Sequence, residues 1–287
     1  MKIREVKYST TNTYLIEGSA GMVLFDTGWA GTTGAFRKAM GEFGIPVQKI
    51  DAVMVSHFHP DHMGIAQEIA DYGAEIWVAD VQKDYVHAAD AVFAKGDVPF
   101  SPINEENVKY YTVSESRAML KKLGIDGEVL HTPGHSEDSI SLVLDSGDIL
   151  VGDLNPLYEL ELHAGTQIGK SWEMLLAGKP KHVYYGHAKS AVLGEGQERS
   201  AQQTVSGEGK ERSAQAAVPE EEQAAQKDLY ALVKRILKYI DKRMPLDAIA
   251  RKTGAGRGFV EDVARMYLTH QNVGVQGILD RIEIKNR

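Results

Sequence analysis

Ser56-His57-Phe58-His59-Pro60-Asp61-His62 packs three imidazoles and a carboxylate into one short stretch, and the rest of the chain is read outward from it. The stretch follows an apolar run from Ile50 to Val55 and precedes a helical pattern over Met63 to Tyr72. It therefore sits where a buried strand empties into a helix, the place where open sheets build their sites. Alternate residues of an extended segment point the same way, so His57 and His59 can face one ion. Pro60 keeps His59 out of helical geometry and holds that pair extended. Asp61 and His62 fall in the turn that opens the helix and approach from another direction, which makes room for two ions. The chain has only ten histidines and three fall here, so a polar loop with chance histidines is the weaker reading. Imidazole and carboxylate without thiolate suit zinc, iron, manganese or nickel.

The composition is that of a soluble globular protein, with 43% hydrophobic and 25% charged residues over 287 positions. That length accommodates one large or two modest domains. Cysteine is absent, which excludes disulfides and thiolate ligands. No apolar run approaches membrane-spanning length and Met1 to Glu5 lacks a signal-peptide pattern, so the expectation is a cytoplasmic protein with no membrane partner. The net charge of −8 divides unevenly: residues 227–287 carry 13 Lys/Arg against 7 Asp/Glu, a balance of +6, and residues 1–226 carry −14.

Short β-type runs open the chain, at Lys2 to Tyr8, Asn12 to Glu17 and Met22 to Asp26, and read as an antiparallel meander ending at Phe25-Asp26-Thr27-Gly28. Thr32 to Phe43 reads as a helix stopped by Gly44 and Pro46. Beyond the histidine run, Glu75 to Val78 reads as a strand. Residues 80–123 form a less regular, aromatic-bearing insertion that either covers the site and shapes a pocket or packs as a helical appendage. A second β series follows at Glu128 to Leu130, Ser139 to Leu144 and Ile149 to Val151, then a helix near Ser171 to Leu176 and a strand at His182 to Tyr185. The remaining candidate ligands, His135, Asp153 and His187, each follow a strand and a Gly-containing turn, and it is this repeated placement that selects them. His131, four residues before His135 and ahead of Pro133, is expected behind the ligands or in packing. His87, His163, His182 and His270 lack such context and are expected to be structural or exposed.

Residues 191–226 change character: polar, free of aromatics, and carrying a repeat in which Gly194 to Gln202 recurs almost unchanged as Gly207 to Gln215. Such a stretch reads as a low-complexity flexible linker between a domain at 1–190 and a basic helical domain at 227–287. In the latter, Leu229 to Ile240 has helical periodicity with a basic face. Leu246 to Lys252, Thr253 to Gly256 and Gly258 to His270 follow a helix-turn-helix pattern. Ile278 to Ile284 reads as a last helix or a wing strand. A nucleic-acid partner is the functional reading of this domain, opposed by Glu261 and Asp262 on the second helix; a helical module that pairs copies into a homo-oligomer or walls the site is the other.

With the ligand candidates assembled, residues 1–190 resemble the metallo-β-lactamase superfamily, in the branch that includes glyoxalase II-like and lactonase-like hydrolases. The resemblance rests on His57, His59, Asp61 and His62, then His135, Asp153 and His187 in the family's order, with Asp26 in its Asp-Thr-Gly turn. It implies an α/β fold, an αββα sandwich with metals at one edge, joined here to a small all-α helix-turn-helix-like C-terminal domain. It also implies His57, His59 and His135 around a first metal, Asp61, His62 and His187 around a second, Asp153 bridging, and Asp26 supporting from behind. The cofactors would be two divalent ions, zinc foremost with iron or manganese as alternatives. The activity would be hydrolysis of a small-molecule ester, thioester or lactone by metal-bound hydroxide, with Asp61 as the catalytic carboxylate that orients the nucleophile or moves a proton. The alternatives are a ligand-sensing regulator with a DNA-binding tail and a metal-dependent phosphodiesterase or nuclease. Lactonases of the family carry a tyrosine three residues after the bridging aspartate; here Pro156 stands there, with Tyr158 nearest.

Overall fold

The computed structural model describes residues 1–94, 98–157, 160, 163, 165–193, 231–240, 242 and 244–269. It divides into two compact units, Met1–Lys210 and Glu211–Arg287. Most of the expected linker (194–226), Tyr158, His270 and the 278–284 segment lie outside the described residues.

In the first unit, β1 (Lys2–Val6), β2 (Thr13–Glu17), β3 (Met22–Phe25), β4 (Ala52–Met54), β5 (Glu75–Ala79) and β6 (Val108–Tyr111) form one sheet in sequence order. Pairing is antiparallel through β3 and parallel from β3 to β6. The second sheet runs β11-β10-β9-β8-β7, built from β7 (Gly127–His131), β8 (Ile140–Leu144), β9 (Asp148–Leu150), β10 (His182–Tyr184) and β11 (Ala191–Val192).

Alternation along the strands sorts the side chains into three layers. Tyr14, Ile16, Val23, Phe25, Ala52, Met54 and Trp77 meet Val129, Ile140, Leu142, Leu144 and Leu150 between the sheets. Their immediate neighbours Leu15, Leu24, Val53, Ile76 and Val78 point the other way, against Phe36, Ala39 and Met40 of helix α1 (Thr33–Glu42) and Ile69 of α3 (Ala66–Ala70). On the far side Ile149 and Val183 pack under Trp172, Leu175 and Leu176 of α6 (Gln167–Ala177). A period of two on both sheets thus yields helix, sheet, sheet, helix. Each large apolar side chain fully buried there contributes about 1.5–3 kcal/mol.

Two sequence expectations are corrected. The single helix over Met63 to Tyr72 is instead α2 (Pro60–Met63) and α3, broken at Gly64 and Ile65. At Gly64 a methyl group would stand 2.3 Å from the Ala30 amide nitrogen, so the chain presses there against the Gly28–Ala30 backbone. Residues 80–123 are not an appendage throughout: β6 extends the first sheet, and α5 (Ser116–Lys122) packs Met119 and Leu120 between the sheets. Outside the sheets, Phe93 of α4 (Asp90–Phe93) stacks on Phe100 at 4.1 Å and meets Trp29 edge-on at 6.0 Å.

In the second unit, residues 231–240 form α7, followed by α8 (Leu246–Thr253) and α9 (Arg257–Thr269). They share a core of Val233, Ile236, Ile249, Val260 and Val263. Gly254, at φ 75°, ends α8 with its N–H donated to the Ala250 carbonyl, a left-handed stop that glycine adopts without strain. Among the described residues no helix is long and apolar enough to cross a membrane.

Candidate metal centre

Strands β3 and β4 run parallel, as do β9 and β10, and β7 shares the direction of β9 through two antiparallel pairings with β8. The residues that leave the ends of β3, β4, β7, β9 and β10 are Asp26, the His57–His62 run, His135, Asp153 and His187. All of them collect at one edge of the sandwich, and their ligand atoms fall into three groups: His57, His59 and His135; His57, His62 and Asp153; Asp61, His62 and His187. Within each group the ligand atoms lie within 4.8 Å of one another.

In the first group His57 Nε2 lies 2.9 Å from His59 Nδ1, and His135 Nε2 lies 3.1 Å from that same atom. The i, i+2 pair converges because His59 is extended (φ −73°, ψ 151°) ahead of Pro60, the first residue of α2. In the third group His187 Nε2 lies 3.0 Å from Asp61 Oδ2 and 3.2 Å from His62 Nε2. Asp153 faces both: Oδ1 is 3.3 Å from His62 Nε2 and 3.5 Å from His187 Nε2, and Oδ2 is 3.6 Å from His135 Nε2. Donor atoms about 2.0–2.2 Å from a tetrahedral ion stand roughly 3.3–3.6 Å apart, which these separations bracket.

The groups behind the ligands fix which nitrogen of each ring faces inward. His62 Nδ1 is 3.0 Å from Asp26 Oδ2, and His187 Nδ1 is 3.1 Å from the Thr10 carbonyl. Both rings thereby donate outward and, when neutral, aim the lone pair of Nε2 at the centre. Asp26 also accepts from the Ser56 amide at 2.6 Å and the Ser56 hydroxyl at 2.9 Å, while that hydroxyl lies 3.0 Å from His57 Nδ1. The aspartate holds this position at φ 62°, in the left-handed region where a non-glycine residue is strained.

Two inward lone pairs 3.2 Å apart beside two carboxylates call for a cation between them, which is the test these residues pass as metal ligands. Burial pushes the His57 imidazole well below its ordinary pKa, and burial lowers His59 as well, so both rings are neutral at pH 7. His62 goes the other way: burial alone would lower it, and the charges of Asp153, Asp26 and Asp61 carry it well above the usual range. Burial would raise the Asp61 carboxyl, but His62 and the hydrogen bond from His187 bring it down to about 2. A divalent ion would supply the positive charge that these carboxylates call for, and would do so to several lone pairs at once.

The comparisons with known proteins turn on residues 7–187, which match the model of the metallo-beta-lactamase superfamily. The chain belongs to the metallo-β-lactamase superfamily. A Beta-lactamase-like protein 2 homolog of Drosophila melanogaster is 26% identical over 62% of this chain and 58% of its own length. A probable metallo-hydrolase of Methanocaldococcus jannaschii is 28% identical over 53% of this chain and 70% of its own. A second Beta-lactamase-like protein 2 homolog, from Caenorhabditis elegans, is matched over 48% of its length, so the chain spans about half the length of several relatives it matches. Among solved structures, a protein determined in a di-iron-bound form superposes with a TM-score of 0.52 at 19% identity, covering 70% of this chain and 98% of that one. At this identity the likeness bears on the superfamily fold alone.

Within that fold, His131 stands apart from the seven ligand-type residues: its Nε2 bonds the Glu137 carbonyl at 2.7 Å across the loop that carries His135. His87 and His182 pair with surface acids, His87 with Asp90 and Glu105 and His182 with Asp148. The sequence carries no signal for Ser56 or for Asp138, whose carboxylate accepts from the Phe58 amide at 2.7 Å. Nor does it mark Thr11, which donates its hydroxyl to the Asp61 carbonyl at 2.7 Å. These sit in loops, where burial leaves no periodic signature.

Proposed function

We propose that the chain is a binuclear metal-dependent hydrolase of a small-molecule ester, thioester or lactone. The observation that carries this reading is the Asp153 carboxylate, whose two oxygens face different groups of histidines. In this reading His57, His59 and His135 would hold one ion and Asp61, His62 and His187 the other, with Asp153 available to both. The chemistry such a pair of divalent ions would supply is a lowered pKa for bound water and a polarised scissile carbonyl, with zinc the foremost candidate and iron or manganese the alternatives. Asp26 and the Thr10 carbonyl keep the lone pairs of His62 and His187 aimed inward while substrate binds. Asp61, a carboxylate at neutral pH, accepts a hydrogen bond from the attacking water and orients it. His187 has its side chain about a third exposed, whereas His57 and His62 are sealed, so substrate approaches from the His187 side.

A second reading rests on Lys234, Arg235 and Lys238, which line one cavity of about 620 Å³ in the C-terminal unit. In that reading the substrate is a phosphodiester of a nucleic acid, the cationic side chains add affinity for it, and binding would weaken steeply with salt. A substrate panel separates the two readings. Chromogenic esters, thioesters, lactones, a phosphodiester, a β-lactam and single-stranded RNA and DNA are each turned over before and after chelation. The first reading expects chelator-sensitive cleavage of a carbonyl substrate and no cut nucleic acid; cleavage of RNA or DNA alone would replace it with the second.

A further inference from the structure

We infer that Asp138 is a positioning residue for the first group of metal ligands, a role that rests on the metal-holding reading above. It lies in the loop that carries His135 and is 2% exposed. Its Oδ2 accepts the Phe58 N–H at 2.7 Å, and Phe58 is the residue between His57 and His59. Two residues away along each segment, the Ile140 N–H donates to the Ser56 carbonyl at 2.8 Å. The histidine run, which leaves the first sheet, is thereby zipped to the start of β8 in the second sheet. Ser56 meets a backbone partner, and Phe58 meets a carboxylate in the place of one.

The hydrogen bond has a geometric consequence for the ligands. His57 and His59 converge only while the peptide between them stays extended, and the Phe58 ring, 1% exposed in the core under the outer helices, pins the opposite side of that backbone. The loop is stiff enough to hold it: Ser136 Oγ and Ser139 Oγ lie 2.6 Å apart, the Thr132 amide donates to the Ser139 carbonyl at 2.9 Å, and His131 grips the Glu137 carbonyl. A buried bond from a backbone N–H to a carboxylate is of the stronger, charge-assisted kind. Asp138 therefore ties the position of His135 to that of His57 and His59, so that all three ligands of one ion move as a body. The third group, Asp61, His62 and His187, is held by Asp26, Thr10 and Thr11 and does not use this tie.

The test is stepwise zinc affinity of the full chain, measured by competition with a chromophoric chelator, for the wild type, Asp138→Ala and Asp138→Asn. Supporting partners of metal ligands are worth about 10–100-fold in affinity. Asp138→Ala is expected to weaken one of the two ions by that factor and to leave the other within twofold. Asp138→Asn, which keeps an oxygen acceptor for the Phe58 amide, is expected to recover most of the loss. A merely structural role would lower the melting temperature and weaken both ions together or neither, and either pattern overturns the inference, as does an Asn variant no better than Ala. A wild type that binds no zinc would instead overturn the metal-holding reading itself.

Discussion

Asp153→Ala is expected to reduce hydrolytic turnover by more than the roughly 10–100-fold that follows loss of a partner behind a metal ligand. The reason is that Asp153 belongs to both halves of the centre. Its Oδ1 approaches His62 and His187, and its Oδ2 approaches His135. In the proposed binuclear centre, removing it would take a donor from each ion at once and leave their positive charge facing fewer carboxylates. Metal content should fall below two per chain in the same sample, while the sandwich persists, because Asp153 lies at the sheet edge beyond Val151 and outside the three apolar layers. Asp153→Asn should fall between the two. Wild-type turnover in Asp153→Ala would remove the bridging role.

Gly186→Ala should cost about a hundredfold in turnover through a single added methyl group. That methyl would stand 2.6 Å from Asp153 Oδ1 and 2.8 Å from His62 Cε1, both inside contact distance. The backbone cannot step back, since the Gly186 amide donates to the Gly152 carbonyl at 2.6 Å and its own carbonyl accepts from Asn12 at 2.7 Å. The ligands must move instead, and a displacement of about 1 Å at reacting groups can cost on the order of 10²-fold. Gly34→Ala on α1, where a methyl meets nothing within 4 Å, is the control and should leave turnover unchanged. Steady-state rates on one chromogenic substrate decide it, and equal rates for both variants would show that the close approach at Gly186 is irrelevant.

The glycine explains why part of the site was legible in sequence. Gly152 and Gly186 precede ligand-type residues because the chain turns there beside other site residues: a methyl on Gly152 would meet Ser56 Oγ at 2.3 Å. The Gly-then-ligand pattern is thus a record of crowding, and it is what singles out Asp153 and His187 in the sequence. The His57–His62 run was legible for a different reason, the two-residue period of an extended segment followed by a proline-started helix. The meander of β1 to β3 and the β series from β7 to β10 showed in their alternating apolar residues.

Other features were not legible, for reasons that can be named. Gly64 broke a helix whose apolar pattern continues from Met63 to Tyr72, because the Gly28–Ala30 backbone crosses there, a tertiary contact that periodicity does not encode. Strand β6 hid in the aromatic stretch after Pro102, since Lys109 and Tyr110 are exposed on a sheet edge and dilute the alternation. Asp138 looked like any loop acid; its burial and its bond to Phe58 depend on the second sheet arriving at the end of the first.

Metal content of the purified, zinc-reconstituted chain tests the central claim most directly. Elemental analysis against protein concentration should return two ions per chain, falling when His57 or His62 is replaced by alanine. A chain that retains no ion after reconstitution, or one whose ions are indifferent to both substitutions, would contradict it.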